Sequence, residues 1–243
     1  MANTSRALLE SALRARHLDS TLITPHQESE AVVPSGVAVV DAVLAGGLPR
    51  GALSVIAGPR SSGRTMLLLQ VLGAATRQGE WVALIDTFDR ADPASIEHAG
   101  VVRERVLWIR GQTVTGAPGR AADRAVARAI RAWHLVLQAG GFGVAALDLA
   151  DVPPTVLARI PLTTWLRVQR VLEGGDTAGV VLAPRPVARS AGGLAVLLDG
   201  TSRWTGAEGS CRVEGLEVHV RARSPRHWPA DEAVITARLG GVP

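Results

Sequence analysis

The chain has 243 residues, of which 47% are hydrophobic, and its formal net charge is +4. This length fits one well-packed α/β domain with a short appendage and argues against two full domains. The single cysteine excludes an internal disulfide. The chain carries neither a signal-peptide pattern nor an apolar run of about 18 residues, so we expect a cytoplasmic protein. No Cys/His cluster has metal-ligand spacing, which argues against a structural metal centre.

Arginine supplies all 26 basic residues, because the sequence contains no lysine. A basic balance of this kind favours nucleic acid or an acidic partner. The codon bias of a GC-rich genome explains the same composition.

Residues 1–33 predict a helix followed by a polar connector. Its candidate N-cap is Thr4 or Ser5. Its apolar stripe consists of Leu8, Leu9, Ala12 and Leu13. A short isolated helix cannot bury such a stripe alone, so it packs against a second copy, a partner or the chain's own core. We expect residues 34–243 to form one core domain.

An octapeptide between an apolar run and a helical pattern has the composition of a phosphate-binding loop. It reads Gly58, Pro59, Arg60, Ser61, Ser62, Gly63, Arg64 and Thr65. Glycines let successive backbone N–H groups and the helix N-terminus face a polyphosphate, and the hydroxyl of Thr65 is the candidate Mg²⁺ ligand. The alternative is a Gly/Ser turn that never meets phosphate.

The usual lysine of such a loop is replaced by Arg64. Lysine reaches a transferred phosphate as a compact point charge, whereas arginine is a bulkier planar fork that suits bidentate contacts. We therefore expect nucleotide binding to survive this replacement better than catalysis.

The segments that flank the loop carry a wider pattern. Residues 34–51 and 85–93 surround it, and the apolar run Val144 to Leu147 ends in Asp148. This succession resembles the RecA recombinase family from about Pro34 to Gly111. The resemblance implies an α/β fold with a RecA-like P-loop core, in which helices flank a mostly parallel central sheet. It also implies that ATP with Mg²⁺ is the cofactor and that Asp148 holds a Mg²⁺-bound water.

Within 85–93, the position of the RecA glutamate that activates the attacking water is occupied by Phe88. A phenyl ring cannot accept a proton. General-base assistance contributes about 10² to 10⁴ in rate, so its loss predicts feeble or no ATP turnover. Asp86 and Asp89 are the neighbouring carboxylates that remain as partial substitutes.

The regions that match the DNA-binding loops of RecA are short. Pro184 and Arg185 stand where the family has an Asn-Gln sensor, and only a brief stretch leads on to Gly192 and Gly193. The segment 148–165 is also short and contains three prolines, which stiffen it. We also expect no counterpart of the carboxy-terminal domain that the resemblance to RecA would imply.

A shortened RecA relative with these losses resembles the ImuA-like proteins, which are accessory proteins of bacterial mutasomes. That resemblance implies a nucleoid-associated role in SOS-induced, mutagenic translesion synthesis during DNA repair. The implied partners are an ImuB-type inactive relative of Y-family polymerases and an error-prone C-family polymerase. A DNA-stimulated ATPase of the recombinase or recombination-mediator type is the alternative. A cell-division inhibitor of the same fold would not need the well-kept glycine loop.

Three basic clusters are candidate contacts for DNA, preferably single-stranded, or for a partner. The first lies on one side of a predicted amphipathic helix and consists of Arg120, Arg124, Arg128 and Arg131. The second, in the shortened loop, consists of Arg185 and Arg189. The third combines basic residues with an aromatic ring and consists of Arg221, Arg223, Arg226, His227 and Trp228. The alternatives are a solvated outer helix for the first cluster and a hairpin tip for the third.

Overall fold

The computed structural model describes residues 31–113, 119–188, 193–206, 210–223 and 232–238. The chain divides into two units, residues 1–30 and residues 31–243. The predicted amino-terminal helix lies outside the described residues and stays a prediction. No helix in the described part of the chain is long and apolar enough to cross a membrane.

Six α-helices and ten strands form the described core. The helices are α1 Ala38–Val43, α2 Arg64–Arg77, α3 Pro93–His98, α4 Arg120–Ala139, α5 Pro154–Leu157 and α6 Leu162–Leu172. The first five strands are β1 Val32–Val33, β2 Leu48–Pro49, β3 Leu53–Ala57, β4 Val82–Asp86 and β5 Val106–Arg110. The last five strands are β6 Val144–Asp148, β7 Ala178–Ala183, β8 Ala195–Thr205, β9 Arg212–Arg223 and β10 Glu232–Arg238.

The central sheet has eight strands in the order β10-β9-β8-β3-β7-β6-β4-β5. Strands β3 to β8 run parallel to one another, and β9 and β10 extend the sheet beyond β8 as antiparallel strands. Strands β1 and β2 form a separate antiparallel pair. This architecture confirms the predicted α/β class and the mostly parallel sheet.

Apolar side chains cover both faces of the sheet, as expected when parallel strands are buried on each side. One core joins the sheet to α1, α2 and α3, and the other joins it to α4, α5 and α6. The second core contains Trp133, which is fully buried and donates its Nε1–H to the carbonyl of Ala145 at 3.0 Å. Satisfying the indole N–H in this way allows a large aromatic ring to be buried without a polar penalty.

The parallel strands end together at one edge of the sheet, where their loops meet. The last residues of β4 and β6, Asp86 and Asp148, are directly paired in register, and Ala57 at the end of β3 pairs with Ala183. Ligand sites of open parallel sheets form outside this carboxyl edge. The edge therefore brings together the glycine loop, the segment around Phe88 and Asp148.

Candidate functional site

The glycine loop, Gly58–Thr65, connects β3 to α2 in the strand, turn and helix order predicted from the sequence. Helix α2 begins at Arg64, and its N-cap Gly63 has a φ of +83°, a conformation that glycine adopts without strain. No side chain caps the first turn of α2. The N–H groups at the start of α2 therefore carry the partial positive charge of the helix dipole.

Strands β8 and β9 hold the loop tightly from the side. A β-carbon at Gly58 would lie 2.5 Å from the carbonyl oxygen of Leu198, and one at Gly200 would lie 2.7 Å from that of Ser61. A β-carbon at Gly63 would lie 3.1 Å from Cγ2 of Val218. The backbone of a neighbouring segment thus comes so close to positions 58 and 200 that only glycine fits there, independently of any ligand of the loop.

Arg64 is turned inward, with only 6% of its surface exposed. Its Nη1 donates to the carbonyl of Gly58, and its Nη2 donates to the carbonyl of Ala150 at 3.0 Å. Burial lowers the pKa of the guanidinium, and the carboxylates of Asp151 and Asp148 oppose that shift. An arginine stays protonated in this setting, so the loop contains a fixed internal cation.

Asp148 lies at the end of β6, as the sequence predicted, and accepts a hydrogen bond from the Ala150 N–H at 2.8 Å. Burial raises the pKa of Asp148 to about 6, and the negative charges of Asp86 and Asp151 act in the same direction. The Ala150 hydrogen bond and the charge of Arg64 oppose the rise. The carboxyl group is therefore poised to exchange a proton near neutral pH.

Phe88 is buried, with 8% of its surface exposed, and it belongs to the apolar core on the α4 side of the sheet. Its ring supports packing in that core. Position 88 is thus a structural position in this chain and supplies no group for proton transfer.

The two neighbouring carboxylates already have structural partners. Asp86 is 1% exposed and accepts hydrogen bonds from the backbone N–H groups of Arg90 at 2.8 Å and Ala91 at 2.9 Å. Asp89 accepts Nε and Nη2 of Arg110 at 2.7 and 3.0 Å, and this pairing lowers the pKa of Asp89. The contact with Arg110 favours the charged form of Asp89, which makes this carboxylate a weaker base. Asp86 is almost fully buried, which limits its access to an attacking water.

The residues present do not fit Mg²⁺-ATP as they stand. Thr65 is exposed and therefore accessible to a ligand, so the misfit lies with the cation of the loop. The cation that should meet the phosphates, Arg64, is bound to two backbone carbonyls instead. The buried hydroxyl of Ser62 has no hydrogen-bond partner among the described residues. The predicted roles of Pro59, Ser61 and the other loop residues in binding nucleotide stay predictions.

The α4 arginines lie where the periodicity predicted. Arg120, Arg124 and Arg131 are exposed and have no carboxylate partner in the described ranges. Arg128 donates to Oε1 of Gln112 at 2.7 Å, which leaves its charge unpaired. The helix therefore presents four arginines that have no carboxylate partner among the described residues, and an anion would relieve their mutual repulsion.

A cavity of about 290 Å³ lies beside this arginine stripe, between α4 and the ends of β4 and β5. Its apolar lining comes from Ile85, Ile109, Ala125, Ala129 and Ala132. Thr87 also lines it, and the buried Oγ1 of this residue has no hydrogen-bond partner among the described residues. Arg128 is part of the lining, so the cavity and the stripe form one continuous surface.

The other basic candidates are spread over the sheet extension and the shortened loop. Arg185 is exposed and donates to the carbonyl of Pro154 at 3.4 Å. Arg221 and Arg223 are exposed at the carboxyl end of β9. Outside the described residues lie Arg189, Arg226, His227 and Trp228. The structure thus describes only the α4 cluster in full.

Sequence reasoning missed the residues that shape the loop from a distance. Three residues of the neighbouring strands contact the loop or leave room for it. They are Gly200 in β8, and Leu216 and Val218 in β9. An isolated glycine inside a strand is a signal of close backbone approach, and Gly200 carried that signal. Leu216 and Val218 gave none, because apolar residues at alternate positions of a strand are ordinary core residues.

Comparison with known proteins supports a relationship for the first half of the chain. The family model of the RecA N-terminal domain matches residues 20–118. This part of the chain is RecA-like. Protein RecA of Methylococcus capsulatus is 33% identical to this chain over 118 residues, which cover 48% of this chain and 30% of that protein. The RecA-like segment contains the glycine loop and Phe88, and the alignment spans less than a third of that relative. These matches relate the first half of the chain to the RecA/Rad51 superfamily.

Proposed function

We propose that this chain is a RecA-like adaptor of DNA-damage-induced, mutagenic translesion synthesis. In this proposal it contacts an ImuB-type inactive relative of Y-family polymerases and works beside an error-prone C-family polymerase. Single-stranded DNA is a further candidate contact. It acts in the cytoplasm, at the nucleoid, and its nucleotide site no longer supports efficient ATP turnover.

The observation that best supports this proposal is the burial of Phe88. A catalytic glutamate there would have to face the carboxyl edge of the sheet, but Phe88 is packed into the α4-side core. Asp86 and Asp89 are held by backbone amides and by Arg110, respectively. A protein with this site keeps the RecA-like frame as a binding platform and has no general base among these residues.

The α4 stripe supplies the best described surface for the partner. Uncompensated arginines beside an apolar cavity favour an acidic segment with an apolar anchor, since a charged rim around an apolar centre is typical of interfaces. Nucleic acid phosphates would also neutralise the arginines. The two ligands differ in their use of the cavity, because phosphates need only the charges.

We expect the Arg124→Glu/Arg131→Glu double variant to bind the ImuB-type partner about tenfold more weakly, because like charges would then face each other across the contact. Biolayer interferometry with the purified partner measures this. The matched control is Arg167→Glu/Arg170→Glu, which makes the same change on exposed positions of α6. Equal losses in the two double variants would contradict a specific α4 surface. Titration with a labelled oligonucleotide tests the DNA contact with the same proteins.

The second candidate is a DNA-stimulated ATPase of the recombinase or recombination-mediator type. The retained glycine loop, the uncapped start of α2 and Asp148 at the end of β6 favour it. It requires Arg64 to leave its two carbonyl partners and act on phosphate.

A further inference from the structure

Arg64 makes contacts that a free phosphate-binding side chain would not need. Its two terminal nitrogens donate to carbonyls from different loops, Gly58 in the glycine loop and Ala150 after β6. The Ala150 N–H in turn donates to Asp148 at 2.8 Å. A continuous set of hydrogen bonds thus joins the end of β3, the start of α2 and the end of β6.

The remaining side of the loop is fixed by packing. The backbone of Ser61 and Ser62 lies against Gly200, and Gly63 lies against Val218. The loop is thus held by β8 and β9 on one side and by Arg64 on the other.

We propose that Arg64 is an internal ligand that locks the glycine loop, so that the fold and its partner surfaces do not respond to nucleotide. This inference deepens the proposed function, since it rests on the degraded nucleotide site and states how that site is kept structured. The loops after β3 and β6, which a nucleotide would otherwise bridge, are joined permanently by one side chain.

The chemistry of arginine explains why lysine would not lock the loop in the same way. The guanidinium is planar and carries two terminal nitrogens, each of which can serve a separate carbonyl. Lysine has one nitrogen on a flexible stem, and its ammonium is strongly hydrated. We therefore expect Arg64→Lys to release the connection to Ala150 and to leave a cation free for phosphate.

The test is thermal unfolding of the full chain by differential scanning fluorimetry, with Mg²⁺ alone, Mg²⁺-ADP or Mg²⁺-ATP. We expect the wild-type Tm to be unaffected by nucleotide. Arg64→Lys should lower the Tm by about 3 °C without ligand, because one buried carbonyl loses its charged donor. It should then gain about 5 °C at a nucleotide concentration about 100 times Kd.

Two variants make this result specific. Arg60→Lys is the matched control, because the same chemical change falls in the same loop on a side chain that is 83% exposed. It should behave as the wild type. Adding Thr65→Ala to Arg64→Lys should remove the gain from nucleotide, since the hydroxyl that would serve Mg²⁺ is lost.

The lock would be contradicted by a saturable, nucleotide-dependent rise in the wild-type Tm that Thr65→Ala abolishes. It would also be contradicted if Arg64→Lys unfolded at the wild-type temperature and gained nothing from nucleotide. Partner binding by the wild-type protein is measured separately. A wild-type protein whose Tm responds to nucleotide but which still binds the partner would overturn this inference alone. A wild-type protein whose Tm does not respond to nucleotide and which binds no partner would overturn the adaptor function alone.

Discussion

Phe88→Glu is expected to lower the free energy of unfolding by about 3 to 5 kcal/mol and to produce no ATP turnover. The ring is packed in the apolar core on the α4 side, so the variant loses buried apolar surface and places a carboxylate among apolar neighbours. Restoring the residue type found in RecA therefore does not restore its chemistry. Urea unfolding and a phosphate-release assay measure the two quantities.

Phe88→Leu is the control for this experiment. It keeps an apolar side chain at the same position and should cost less than about 1.5 kcal/mol. If Phe88→Glu were as stable as Phe88→Leu and hydrolysed ATP, the side chain at 88 would have to reach the carboxyl edge of the sheet. That outcome would remove the main argument for an adaptor.

Asp148→Asn is expected to stabilise the protein at pH 8 and to leave its stability almost unchanged at pH 4. The pKa of Asp148 is raised from 3.8 to about 6 by burial and by the charges of Asp86 and Asp151. Above pH 6 the carboxylate is charged in both states, and the folded state carries the cost of that charge. As the pH falls from 6 towards 4, the folded protein takes up the proton first, so this cost disappears.

The expected gain from Asp148→Asn at pH 8 is about 2 kcal/mol, which allows for the partial exposure of the side chain. Asparagine keeps an oxygen that can accept the Ala150 N–H, so the backbone contact survives. Asp199→Asn, which neutralises an exposed carboxylate on β8, should show no comparable gain. A loss of stability at pH 8 would mean that the attraction between the Asp148 carboxylate and Arg64 outweighs the cost of burial.

Local patterns in the sequence were sufficient to predict the elements that carry the site. An apolar run, a glycine-rich turn and a helical period predicted β3, the loop and α2, and a period of 3.6 residues predicted α4 with its outward arginines. These features depend only on residues that are close together in the sequence, which is why local patterns could predict them. The structure confirms these elements.

The decisive contacts at the site could not be predicted in this way. The partner of Arg64 at Ala150 is 86 residues away in the sequence, and Gly200 meets the loop only because β8 pairs with β3. Phe88 was identified as a lost catalytic position, but its burial on the α4 side depends on how a helix from another part of the chain packs. Such contacts follow from topology, which no local pattern contains.

ATP turnover by the purified wild-type protein, with and without single-stranded DNA, tests the central claim most directly. The locked and degraded site predicts a rate no higher than that of the Thr65→Ala and Asp148→Asn variants under either condition. Turnover that DNA stimulates and that either substitution abolishes would contradict the account, because Arg64 would then act on phosphate and the chain would be an ATPase.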